Sequence, residues 1–154
     1  MIDTKQFKEF HVLIVDDDLA FLDVMEAMLN QIGITHIARA DSGSQALGAI
    51  SDLKRPVDCT ICDVKMSNGN GLQLLKFVRM GRINHIRPDS CFILLTSSSD
   101  TETVKVAAKL DVNAYLIKPV TPEKLSTAIA KARSKYFPVN FDKYANIAVP
   151  NASS

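Results

Sequence analysis

The chain has almost no excess charge. Eighteen lysines and arginines face 17 aspartates and glutamates, for a net charge of +1. A basic nucleic-acid footprint is therefore not expected. No run of 18 apolar residues occurs, so no membrane span is expected. The first ten residues carry Asp3, Lys5, Lys8 and Glu9 where a signal peptide would be apolar, and a cytoplasmic location is expected. Three cysteines do not make a disulfide framework. Cys59 and Cys62 form a C-x-x-C pattern, but they fall in a strand-like run, where residues three apart point to opposite faces. They cannot share a metal and are read as core residues. Internal repeats and low-complexity tracts are missing as well.

What remains is the composition of an ordinary globular protein: 47% hydrophobic, 23% charged, 154 residues, one domain. Strand and helix signals alternate. Apolar runs are found at residues 11–15, 35–40, 57–62, 91–95 and 114–117. Between them, helical spacing covers residues 19–31, with Asp18 as N-cap and Gly33 as stop. Further helices are expected from Asp41 or Ser42 to Leu53, from Leu72 to Val78, and from the Ser97–Asp100 cap to Leu110. The last runs from Thr121 and Pro122 to about residue 135. Residues 81–90 read as a long polar connection, and 65–70 as a loop built on Asn68-Gly69-Asn70-Gly71. This alternation predicts a flavodoxin-like, doubly wound α/β fold, a five-stranded parallel sheet in the order 2-1-3-4-5. Residues 1–9 are expected to be an N-terminal extension. Residues 136–154 are expected to be a tail, partly docked by Tyr136, Phe137, Phe141 and Tyr144 or disordered.

The strand ends carry the chemistry. Asp16, Asp17 and Asp18 follow the first run, Asp63 the third, Thr96 the fourth and Lys118 the fifth. In an open parallel sheet these ends share one edge, where ligands bind. Two carboxylates at about 4 Å repel by on the order of 4 kcal/mol at an effective dielectric near 20. Such a cluster raises carboxyl pKa values or recruits a hard cation such as magnesium. A carboxylate can also be a nucleophile toward phosphorus, with a hydroxyl and an ammonium at hand for the phosphoryl oxygens. Asp18 is read as a helix cap instead.

Over roughly residues 10–134 the chain resembles the receiver domains of two-component response regulators, and residues 10–135 are expected to be that domain. Val15-Asp16-Asp17 resembles their acidic pair, Asp63 their phosphoacceptor, and Leu94-Leu95-Thr96-Ser97 their switch hydroxyl with its small neighbour. Ala114-Tyr115-Leu116-Ile117-Lys118-Pro119 resembles their switch aromatic and lysine–proline motif. The resemblance implies phosphoryl transfer to Asp63 from a sensor histidine kinase or a phosphotransfer protein. It implies Mg2+ held by Asp17, Asp63 and the Lys65 carbonyl, with Asp16 acting partly through water. Thr96 and Tyr115 would move inward on phosphorylation, and the Lys118–Pro119 bond would be cis. About 20 tail residues are too few for an effector domain with its own core, so output is expected to be contact with a downstream effector protein or phosphate transfer onward in a relay. The chain would be a self-modifying phosphoacceptor, not an enzyme, and homodimerisation is left open.

Two departures stand in the loop after Asp63. Ser67 replaces the family's usual proline and Asn70 its usual aspartate, while Lys65 lies where side chains flank the phosphoryl group. A binding-only adaptor with the same fold is one alternative. A haloacid-dehalogenase-type phosphatase is another, since Asp16-Asp17-Asp18 fits its Asp-x-Asp pair. That family needs a further acidic pair after the lysine, and none follows Lys118 before the last helix.

Overall fold

Alternation along the strands sets the architecture. In the computed structural model, which describes residues 3–42, 45, 46, 50, 55–66, 69–97 and 100–150, odd and even strand residues feed two separate cores. Leu13, Val15, Cys62, Phe92 and Leu94 enter one; Val12, Ile14, Cys59, Ile61, Ile93 and Leu95 enter the other. Both faces are apolar because both are covered.

The sheet strands are β1 (His11–Val15), β2 (His36–Ala40), β3 (Val57–Asp63), β4 (Ile86–Thr96) and β5 (Ala114–Ile117). All neighbours pair in parallel, in the order β2-β1-β3-β4-β5, as the alternation predicts. Helices α1 (Leu19–Gln31) and α4 (Pro122–Ser134) bury their apolar sides in the second core. Helices α2 (Gly71–Arg79) and α3 (Thr101–Lys109) bury theirs in the first. Each starts at a side chain that accepts from an orphan amide: Asp18, Asn70, Asp100 and Thr121 for α1 to α4. Ser42 caps the helix expected after β2, its Oγ accepting from Gln45 N at 3.1 Å. Gln45, Ala46 and Ile50 are helical, and the rest of that expected helix lies outside the described residues. Gly33 stops α1 at φ +99°, and a Cβ there would lie 2.1 Å from the Thr4 carbonyl oxygen.

Two expectations change. The fourth strand begins at Ile86, not Cys91: Val57 pairs with Ile86 and Cys59 with Cys91, so residues 87–90 bulge between the two pairs. Pro88 sits in that bulge, where no ladder amide is needed. The loop after Asp63 is not wholly irregular either; Lys65–Met66 pairs antiparallel with Gly69–Asn70. Residues 136–150 take the partly docked form expected of the tail. Phe137 lies under the Arg79 guanidinium at 4.5 Å, and a short helix α5 (Phe141–Ala145) buries Tyr144 completely. Tyr136 and Phe141, also candidate anchors, stay exposed.

The three cysteines are free and buried. As expected, Cys59 and Cys62 belong to opposite cores. The near pair is Cys59 and Cys91, register partners on β3 and β4 with sulfurs 3.0 Å apart. Burial pushes the Cys59 and Cys62 thiols up, which keeps them protonated and unreactive.

Candidate functional site

Register places the site. Val15 pairs with Cys62, Asp63 with Leu95 and Thr96 with Ile117, so the residues at these strand ends come out along one edge. Asp16, Asp17 and Asp63 each offer an oxygen, and these oxygens all lie within 4.8 Å of one another. Asp16 is buried, Asp63 half-buried and Asp17 exposed. Lys118 reaches into the group, its Nζ 2.9 Å from Asp16 Oδ2 and 3.9 Å from Asp63 Oδ1. Its backbone amide donates to the Thr96 carbonyl at 2.7 Å, which ties the lysine to the end of β4. The Lys118–Pro119 bond is cis.

Asp18 stands apart as the α1 cap, its Oδ1 accepting from Phe21 N at 3.2 Å. Its own amide donates to Asp16 Oδ1 at 2.9 Å and helps aim that carboxylate. Lys65 does not join the acids through its side chain, which is exposed; its backbone pairs with Asn70. Thr96 is buried at 3% exposure. Tyr115 is half-buried against the first core, and burial raises its phenol while the Thr96 side chain opposes the rise.

The acid trio fits a hard divalent cation. In an octahedral site with oxygens at about 2.1 Å, opposite ligands are about 4 Å apart. A spread of up to 4.8 Å needs either a small closure or one water-bridged carboxylate. Electrostatics favours such an ion. The Asp63 carboxyl is raised from 3.8 to about 6 by burial and by the Asp16 charge; Lys118 opposes this rise only in part.

A sequence profile described as the response regulator receiver domain matches residues 12–130. The chain belongs to that family. A probable chemotaxis protein CheY of Rhizobium etli is 33% identical over 79% of this chain and 91% of its own length. The transcriptional regulatory protein ZraR of Escherichia coli O157:H7 is also 33% identical, over 79% of this chain. This chain spans only 26% of ZraR. Among solved structures, a receiver domain protein from Clostridium thermocellum matches at 29% identity and TM-score 0.69, covering 80% of this chain and 94% of its own. Chemotaxis protein CheY4 of Vibrio cholerae matches at TM-score 0.70 and 24% identity over 80% of this chain and 98% of its own, a likeness of fold.

Two residues of this receiver's site were not singled out from the sequence. Phe21 holds the Lys118 ammonium 3.9 Å above its ring, on the first turn of α1. An aromatic residue three positions after the Asp18 cap was the available signal. Gly71 backs onto β3: a Cβ there would lie 2.4 Å from the Asp63 carbonyl oxygen and 2.9 Å from Leu94 Cδ2. Gly71 N also donates to the Val64 carbonyl at 2.8 Å. The Gly71→Ala variant should therefore push α2 away from β3 and open the acid trio. Its Mg2+ affinity, followed by isothermal titration, is expected to fall at least about tenfold while the fold persists.

No helix among the described residues is long and apolar enough to cross a membrane.

Proposed function

We propose that this receiver is a phosphorylation-dependent signalling switch in which Asp63 accepts a phosphoryl group in the presence of Mg2+. The observation that carries this is the convergence of Asp16, Asp17 and Asp63 within 4.8 Å, with one ammonium spanning Asp16 and Asp63. An Asp63 carboxylate oxygen attacks phosphorus, the P–N bond of a phosphohistidine breaks, and the imidazole nitrogen keeps the electron pair. A bound Mg2+, held by Asp17, Asp63 and the Lys65 carbonyl with Asp16 partly through water, would neutralise charge on the transferring group. With Asp63 esterified, Lys118 loses one of its two carboxylate neighbours and gains a phosphoryl oxygen in the same place. The Thr96 hydroxyl is the donor proposed for a second oxygen, with Tyr115 following it inward.

The partners in this proposal are a histidine kinase or phosphotransfer protein upstream and an effector protein downstream, in the cytoplasm. Residues 10–135 form the receiver unit, with 3–9 and 136–150 packed on it as flanks. Membership of the receiver family leaves the phosphatase alternative without support.

The test is direct. Wild-type protein with Mg2+ and acetyl phosphate is expected to gain one phosphoryl mass, and Asp63→Asn to gain none. Label persisting on Asp63→Asn would place the acceptor elsewhere. An unlabelled wild type that also ignores beryllofluoride would favour the binding-only adaptor.

A further inference from the structure

Asn70 stands where receivers usually carry an aspartate, and its amide does something a carboxylate cannot. Its Oδ1 accepts from Gln73 N at 2.9 Å, which caps α2. Its Nδ2 donates to the Pro150 carbonyl at 2.7 Å, eighty residues along the chain. Six residues into α2, Lys76 Nζ donates to the carbonyls of Ile147 at 2.8 Å and Ala145 at 3.4 Å. Asn70 and Lys76 therefore read main-chain oxygens of one segment that runs back along the helix.

The spacing matches. Six helical residues rise about 9 Å. The three steps from Ile147 to Pro150 span about 10 Å when extended. Exposure alternates along that stretch, with Ile147 and Val149 half-buried against the first core and Ala148 and Pro150 exposed. That is the period of an extended peptide laid on a surface.

We propose that the α2 face is a peptide-reading surface whose occupant is the chain's own 145–150 segment, with Asn70 as the residue that decides occupancy. Lys76 and Asn70 supply the polar contacts, and the apolar seat takes side chains at alternate positions. Aspartate at 70 would keep the helix cap, because Oδ1 only accepts. It would also set a carboxylate oxygen against the Pro150 carbonyl, replacing a donor–acceptor pair by two acceptors. The segment is tethered next to its site by the buried Tyr144, whose hydroxyl donates to Asp111 Oδ2 at 2.7 Å. A tether that short gives an effective concentration of about millimolar or more. The face is thereby closed in cis to any outside segment of the same chemistry. The proposal stands independently of the phosphoryl chemistry.

Limited proteolysis of the full chain with elastase tests it. Asn70→Asp is expected to speed cleavage within residues 145–150 about tenfold, because cleavage follows the open population, while its thermal midpoint stays within a few degrees of wild type. Unchanged cleavage in a folded Asn70→Asp protein would overturn the proposal. A second measurement uses an amidated, fluorescent peptide of residues 145–150. It should bind a chain ended after Tyr144 at least about tenfold more tightly than it binds the full chain, and Asn70→Asp in the shortened chain should remove that gain. Equal binding to the full and shortened chains, or binding indifferent to Asn70→Asp, would also overturn it.

Discussion

Asp63→Asn is expected to raise the stability of the metal-free protein near neutral pH, by about 1–3 kcal/mol. The cause is the company its carboxylate keeps. Burial and the Asp16 charge lift its pKa to about 6, and Asp17 adds to this. The folded chain thus holds the Asp63 proton more tightly than the unfolded chain, whose carboxyl titrates near its ordinary value of about 4. Stability from this group is complete below about pH 4 and is lost as pH rises through about 6. Urea unfolding between pH 4 and 8 should show that fall in wild type and a flatter profile in Asp63→Asn. Millimolar Mg2+ should restore stability to wild type only, since binding to the folded state alone stabilises it by mass action. An Asp63→Asn protein less stable than wild type at pH 7.5 without Mg2+ would contradict this account.

Arg79→Met should cost more, about 3–5 kcal/mol. Arg79 is completely buried at the end of α2. Its guanidinium donates to the carbonyl oxygens of Leu110, Pro88, Ser90 and Asp111 and to Asn113 Oδ1, at 2.7–3.0 Å. Burial lowers its pKa to about 10, so it stays charged at neutral pH. All these acceptors are carbonyls, so its removal takes a donor from five oxygens, of which Asn113 Oδ1 keeps the Phe92 amide, instead of leaving an unpaired carboxylate. Arg79 also seats Phe137 and joins the β4 bulge to the turn after α3. Arg79→Lys should be nearly as damaging, because one ammonium cannot reproduce a planar fork of donors. Urea midpoints of both variants, measured by circular dichroism, check this. A loss under about 1 kcal/mol for Arg79→Met would mean that water takes over its contacts.

Much of this protein was legible in the chain because its signals are local. The limits of α1 follow from Asp18 and Gly33, one an acceptor for orphan amides and one free to take positive φ. Asp100 and Thr121 act in the same way at the starts of α3 and α4. Alternating apolar runs implied a sheet covered on both faces. A parallel sheet then places Asp16, Asp63, Thr96 and Lys118 at strand ends along one edge, whatever the details between.

Tertiary structure alone decided what depends on contacts distant in sequence. Pro88 and the polar residues around it read as a connection, yet Ile86 pairs with Val57 because a bulge absorbs residues 87–90 and Arg79 takes up the Pro88 and Ser90 carbonyls. Phe21 and Gly71 are ordinary helix residues until folding sets one against Lys118 and the other against the Asp63 carbonyl. Tyr136, Phe137, Phe141 and Tyr144 are alike as hydrophobes, and only the positions of Arg79 and Asp111 select Phe137 and Tyr144 for burial. The strand-end acids were set by sequence periodicity, which is a property of neighbours. How the 136–150 segment lies over α2 was set by which distant donors and cavities it meets, and no local pattern encodes those.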